Sequence, residues 1–115
     1  MHTVQIVMAN RDYARDLERL LVRDGCHEVL QPDTPDFRRT GVVVMDTISF
    51  RGLAALPPRP EQVVLVAGRE ESSLRQAWDA GLRSVVYTDE PPQTTLLAVM
   101  AAELRSPGSA ESRPG

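Results

Sequence analysis

The sequence predicts a doubly wound α/β domain on a parallel sheet, and three observations carry that expectation. Strand-like apolar runs alternate with segments of helical periodicity along the chain. The third, fourth and fifth runs are apolar almost throughout instead of at every second residue, as in strands covered on both faces. At 115 residues the chain is long enough for one core and too short for two.

Val4 to Met8 (VQIVM) reads as the first strand, short and rich in β-branched residues. Asn10 is placed to cap a helix from Arg11 to Asp24, with Tyr13, Leu17, Leu20 and Leu21 on one face and Gly25 as its left-handed stop. Cys26 to Leu30 reads as the second strand, Gly41 to Met45 (GVVVM) as the third and Gln62 to Ala67 (QVVLVA) as the fourth. A helix from Glu70 to Ala80 follows, with Leu74, Ala77 and Trp78 sharing a face and Gly81 ending it. Glu70 and Glu71 suit the positive end of that helix. Ser84 to Tyr87 (SVVY) is the fifth strand. Pro92 opens a last helix to Arg105, with Leu96, Val99, Met100 and Leu104 as its expected stripe. Residues 1–105 thus form the domain. The segment 106–115, PGSAESRPG after Ser106, has no apolar anchor and is expected to be a disordered tail or linker.

Two crossovers are too short for a full helix. A helix running back along a strand of five or six residues needs about 11 residues. Only ten lie between Leu30 and Gly41, and Pro32 and Pro35 are among them. That segment is expected to be extended, with at most a turn or two around Pro35 to Arg39. The third crossover has room for a short helix near Phe50 to Leu56, before Pro57, Pro58 and Pro60 end it.

The formal net charge of −3 and the scattered arginines form no basic stripe, so no nucleic-acid partner is expected. No run approaches a membrane span and no signal peptide opens the chain, so a cytoplasmic protein without a membrane partner is expected. The single Cys26 has no disulfide partner within the chain and is expected in the core. Cys26 and His27 are neighbours on a strand, so their side chains diverge and do not make a metal site. His2 is expected to do nothing. All thirteen basic residues are Arg, which excludes any mechanism that needs lysine. There is no glycine-rich phosphate loop, nucleophile elbow or Ser-His-Asp set, so an enzyme ranks last among the readings and no cofactor is expected.

In a doubly wound sheet the functional crevice lies past the carboxyl ends of the strands, at Met8, Ala9, Asp46, Ala67 and Thr88. Taken together, GVVVMDT (41–47), RDLERLLVRDG (15–25) and the long stretch QVVLVAGREESSLRQAWDAGLRSVVYTDEPPQTTLLAVMAAEL (62–104) resemble the receiver domain of response regulators. The pattern is most similar to receivers of the NarL/LuxR type. The resemblance implies a five-stranded sheet of flavodoxin or CheY-like order 2-1-3-4-5, here with shortened second and third crossover helices. It also implies a phospho-acceptor at Asp46, flanked by an acidic pair for Mg²⁺, a Thr or Ser after the fourth strand and a Lys after the fifth.

Carried over position by position, the acidic pair falls at Met8 and Ala9, the hydroxyl at Ala67 (give or take one) and the Lys at Thr88. Four of the five chemical positions are therefore lost, and the chain reads as a degenerate, pseudo-receiver form. Asn10 is a candidate neutral helper and Arg69 a candidate substitute cation. Asp46 is alternatively a relic that caps the next turn at Ile48 or Ser49. The resemblance also makes Trp78, Val85 (the switch position of the fifth strand), Tyr87, Leu97 and Leu104 an expected interaction face for a protein partner. Trp78 is alternatively a packing residue at the core edge. Leu97, Ala101 and Leu104 with the first helix suggest a homodimer face. The rival readings are a phosphorylatable single-domain regulator using Asp46 and the regulatory head of a longer protein, such as a pilus-localisation ATPase or a transcription factor.

Overall fold

The computed structural model of the protein describes residues 2–105. The tail expected at 106–115 lies outside the described residues. The elements are β1 (His2–Val7), α1 (Arg11–Asp24), β2 (His27–Leu30), β3 (Val42–Asp46), α2 (Thr47–Arg51), a 3₁₀ turn (Pro60–Gln62), β4 (Val63–Ala67), α3 (Glu71–Asp79), β5 (Ser84–Tyr87) and α4 (Pro92–Arg105). The strands pair parallel in the order β2-β1-β3-β4-β5, as expected. Among the described residues no helix is long and apolar enough to cross a membrane.

α1 starts and stops where its caps dictate. The Asn10 side chain accepts the Tyr13 N–H, and Gly25 takes φ of 75° with its own N–H on the Val22 carbonyl. Its buried stripe is Ala14, Leu17 and Leu21, with Tyr13 and Leu20 only half-buried.

Strand alternation divides the core into two clusters, one on each face of the sheet. Val4, Ile6, Val42, Val44, Val64, Val66 and Val86 meet α1 and α4. Val7, Val43, Met45, Val63 and Leu65 meet Phe50, Ala77, Ala80 and Leu82. The second face is thinly covered, because α2 has five residues and 31–41 holds no helix. Side chains hold that coil in place of helix packing. Gln5, buried on β1, donates from Nε2 to the Asp36 carbonyl (2.9 Å) and accepts the Asp36 N–H on Oε1 (2.8 Å). Gln62 Nε2 donates to the Arg39 carbonyl (2.6 Å), and Arg59 Nη2 donates to the Phe37 carbonyl (2.6 Å). Gly41 then enters β3 at φ of 115°, so close to β1 that a Cβ would sit 2.2 Å from the Thr3 carbonyl oxygen.

Several expectations are corrected. The third crossover helix forms at Thr47–Arg51 and not near Phe50 to Leu56, because Asp46 caps it earlier. Cys26 is exposed and His27 takes the inward position. β2 begins at His27, so Cys26 lies in the bend before it and His27 is the strand's first inward residue. On α3 the buried residues are Ser73 and Ala77, with Leu74 half-buried and Trp78 56% exposed, so Trp78 is not a packing residue. On α4 the buried residues are Thr95, Val99, Ala102 and Glu103, while Met100 and Leu104 face outward. That helix is apolar nearly all round, and two polar contacts turn it. The Tyr13 hydroxyl bonds the Thr95 hydroxyl, and His27 Nε2 lies 2.9 Å from Glu103 Oε2. His2 joins this cluster, its Nδ1 4.0 Å from Glu103 Oε2 and its ring 5.9 Å from that of His27.

Candidate functional site

Parallel strands that end in register bring their following loops together. Asp46 closes β3 opposite Val66 of β4, and Val7 of β1 lies opposite Met45. The loops after β1, β3, β4 and β5 therefore meet around Asp46, forming a cleft of about 510 Å³. Ala9, Tyr13, Ile48, Gly68, Glu70 and Thr88 are among its walls.

Asp46 is buried, and both carboxylate oxygens are occupied by backbone donors. Oδ1 accepts the Ser49 N–H at 2.9 Å, which makes Asp46 the N-cap of α2. Oδ2 accepts the Ala9 N–H at 2.7 Å and the Asn10 N–H at 3.3 Å. One side chain thus pins the loop after β1 and starts the helix after β3. Charge-assisted acceptance of this kind is stronger than a neutral hydrogen bond. The capping expected at Ile48 or Ser49 is found at Ser49.

Of the expected pocket positions, Met8, Ala9 and Thr88 border the cleft, Met8 as a buried member of the core beneath it. Ala67 does not reach it. Alternation from the Asp46–Val66 pair turns Ala67 to the opposite face, where it is fully buried, and brings Gly68 to the cleft instead. Gly68 has no side chain to offer, and a Cβ there would meet Glu70 Oε1 at 2.9 Å. Glu70 itself accepts the Ser73 hydroxyl at 3.1 Å.

The two expected substitutes are committed elsewhere. Asn10 spends its side-chain oxygen on the Tyr13 N–H at 3.1 Å. Arg69 turns toward β5: Nε donates to Asp89 Oδ2 at 2.8 Å, Nη2 to Oδ1 at 3.3 Å, and the guanidinium lies 4.0 Å over the Tyr87 ring. That hydrogen bond holds the Asp89 carboxyl below its ordinary range and raises Arg69. Tyr13 is pushed up by burial, with the Thr95 hydrogen bond acting against the shift.

Mg²⁺, the metal the fold brings to mind, finds a poor fit here. It needs several oxygen ligands with one or more available carboxylates. Met8 and Ala9 offer no side-chain oxygen, Asp46 is already engaged by three N–H groups, and Glu70, the other carboxylate of the cleft, accepts the Ser73 hydroxyl. Among the described residues no group of three or more His, Cys, Asp or Glu side chains has the arrangement of a metal site.

The expected interaction face has an exposed Trp78 on α3, half-buried Val85 and Tyr87 on β5, and exposed Leu97 and Leu104 on α4. Sequence reasoning missed Gln5 and the pair of His27 with Glu103. Neither belongs to a motif, and only the folded arrangement joins residues 31 and 76 positions apart.

No protein-family model matches the chain, and no curated protein matches it. Solved structures do. Full-length FixJ from B. japonicum superposes with a TM-score of 0.67 at 14% identity, over 96% of this chain and 62% of that one. The CheY-like response regulator from Mesorhizobium loti gives 0.60 at 16% identity, over 88% and 98% of the two chains. The response-regulator receiver domain from Rhodospirillum rubrum gives 0.61 at 13% identity, over 90% and 92%. The chain spans less than two thirds of the FixJ length. At such identities the likeness is one of fold: five parallel strands in the order 2-1-3-4-5 with flanking helices, the fold of response-regulator receivers.

Proposed function

We propose that this chain is a pseudo-receiver, a signalling module that acts by protein–protein contact without Mg²⁺-dependent phosphorylation of Asp46. One observation carries the reading: both Asp46 oxygens accept backbone N–H groups. Three of the about four acceptor positions of the Asp46 carboxylate are taken by N–H groups, and an incoming phosphoryl group needs cations to offset the crowded negative charge. Met8, Ala9 and Gly68 supply neither metal ligand nor hydroxyl, Thr88 stands where a lysine would, Arg69 is bound to Asp89, and Arg51, which also borders the cleft, donates to Gln76 and Ser73 of α3. In this reading the contact surface is Trp78, Val85, Tyr87, Leu97 and Leu104. Trp is enriched at the anchoring centres of interfaces. The partner is a protein, and α1 with Leu97, Ala101 and Leu104 of α4, all exposed, supplies a homodimer face.

Intact-mass spectrometry after incubation with a small-molecule phosphodonor and Mg²⁺ tests the reading. An unchanged mass is expected. Gain of one phosphoryl group that is lost in Asp46→Asn would establish the rival, a phosphorylatable regulator. A second reading, the regulatory part of a longer protein, draws on the match to full-length FixJ, of which the chain spans 62%.

A further inference from the structure

The third crossover leaves a space where a doubly wound fold usually holds a full helix. α2 stops at Arg51 with Gly52 as its C-cap, and Pro57 and Pro58 bar a helix beyond residue 55. Between this remnant and α3 lies an open groove of about 610 Å³, which shares Arg51 with the Asp46 cleft and is otherwise lined by different residues. Phe50, Leu53, Ala54 and Leu56 form one wall and Ala80 part of the other. Leu56 is 68% exposed, an unusual position for a leucine beside other apolar groups.

The groove also carries opposite charges. Arg51 lies beside it, donating only to neutral acceptors, Gln76 Oε1 and Ser73 Oγ, both at 3.3 Å. Asp79 contributes from α3. Among the described residues neither Arg51 nor Asp79 forms an ion pair.

We propose that this groove docks an amphipathic helix of a partner protein, with an apolar stripe flanked by an acidic residue for Arg51 and a basic residue for Asp79. The argument for a helix is the site itself, bounded by α3 and by the end of the truncated α2. The flanking charges follow from complementarity: a carboxylate would give Arg51 an ion-pair partner, which its two 3.3 Å bonds to Gln76 and Ser73 do not. A second copy of this chain is a poorer occupant. The outward residues of its α4, Leu97, Met100, Ala101 and Leu104, carry no charge to meet either group, and its charged α1 spends its apolar stripe, Ala14, Leu17 and Leu21, on its own core. The inference goes beyond the pseudo-receiver reading and uses a different surface.

The test is an amide NMR titration of the full chain with two designed helical peptides sharing one Leu/Ala stripe. In the first peptide the stripe is flanked by Glu on one side and Lys on the other; in the second both flanks are Lys. The first should give saturable shifts at residues 50–56 and 76–80 and bind about tenfold more tightly than the second. Ala54→Glu, at an exposed wall position, should weaken it about tenfold. Arg51→Glu, also exposed, should weaken it and transfer the preference to the Lys-flanked peptide, which keeps the test valid if Ala54→Glu does not fold. Equal binding of both peptides, shifts confined to the Trp78 surface, or no saturation would overturn the proposal. So would saturable binding of 1-anilinonaphthalene-8-sulfonate in the groove with no response to either peptide, since that marks a small-molecule site. A response to a phosphoryl mimic would overturn the pseudo-receiver reading and leave this inference standing, so the two fail separately.

Discussion

On one face of the sheet, α1 and α4, of fourteen residues each, bury Leu17, Leu21, Val99 and Ala102 against valines of the strands. On the other, α2 and α3 have five and nine residues, and a coil covers what they leave open. The first face is held by apolar burial, which is non-directional and cumulative. The second has an apolar cluster of its own under α2 and α3, but its coil is held by a few directional bonds, from Gln5, Gln62 and Arg59 to the backbone of residues 36–39. A crossover can therefore lose its helix and keep its path, provided buried amides satisfy the backbone groups that the helix would have satisfied. The same shortening opens the groove beside α3.

This contrast is easiest to break on the helical face. Leu17→Ala should cost about 2–5 kcal/mol in denaturant unfolding, since the site is fully buried. The loss should appear as a lower midpoint for the whole domain. Gln5→Ala should cost less, about 1–3 kcal/mol, because it strips one donor and one acceptor from Asp36. Its mark should be local, with hydrogen exchange accelerated in residues 36–39 beyond the change in α1. A uniform rise across both faces would erase the contrast drawn here.

Asp46→Ala comes next, at about 1–2 kcal/mol for a lost N-cap and two further N–H contacts at a cleft open to water. Exchange should accelerate at Ala9, Asn10 and Ser49. A variant as stable as the parent would mean that Asp46 is not the bracket described.

The smallest effect belongs to the exposed pair beside the cleft. Arg69 keeps the Asp89 carboxyl below its ordinary range. A carboxylate whose folded pKa is depressed adds stability above its unfolded pKa and loses it as pH falls through the folded value. Arg69→Ala should return Asp89 to the usual carboxylate range in a carbon-detected NMR titration, with a slight change in acid stability. An unmoved Asp89 titration would show that the pair is not formed in solution.

Much of the fold was legible where local chemistry marks an end. Asn10 and Gly25 delimit α1, and Pro92 opens α4, so both helices match their sequence limits. The valine runs located β3, β4 and β5, and Asp46 at the close of β3 marked the site. The unread part depends on tertiary placement. α4 has apolar residues on almost every side, so periodicity gave no preference against the bonds that turn Thr95 and Glu103 inward. At β2 nothing in the sequence decided whether Cys26 or His27 faces the core, and at β4 one residue separated Ala67 from Gly68. Asp46 was legible as a cap, but its hold on Ala9 and Asn10 was not, because those bonds are made by backbone groups that any sequence carries.

Asp46 accepts three backbone N–H groups, and we propose that it serves the backbone and not phosphoryl chemistry. Amide NMR of the full chain, titrated with Mg²⁺ and then with beryllofluoride as a phosphoryl mimic, tests it most directly. The account predicts a spectrum that ignores both. Shifts clustered at Met8, Asp46, Gly68 and Thr88, spreading to Tyr87 and α4, would mean that the bracket opens and the switch still works.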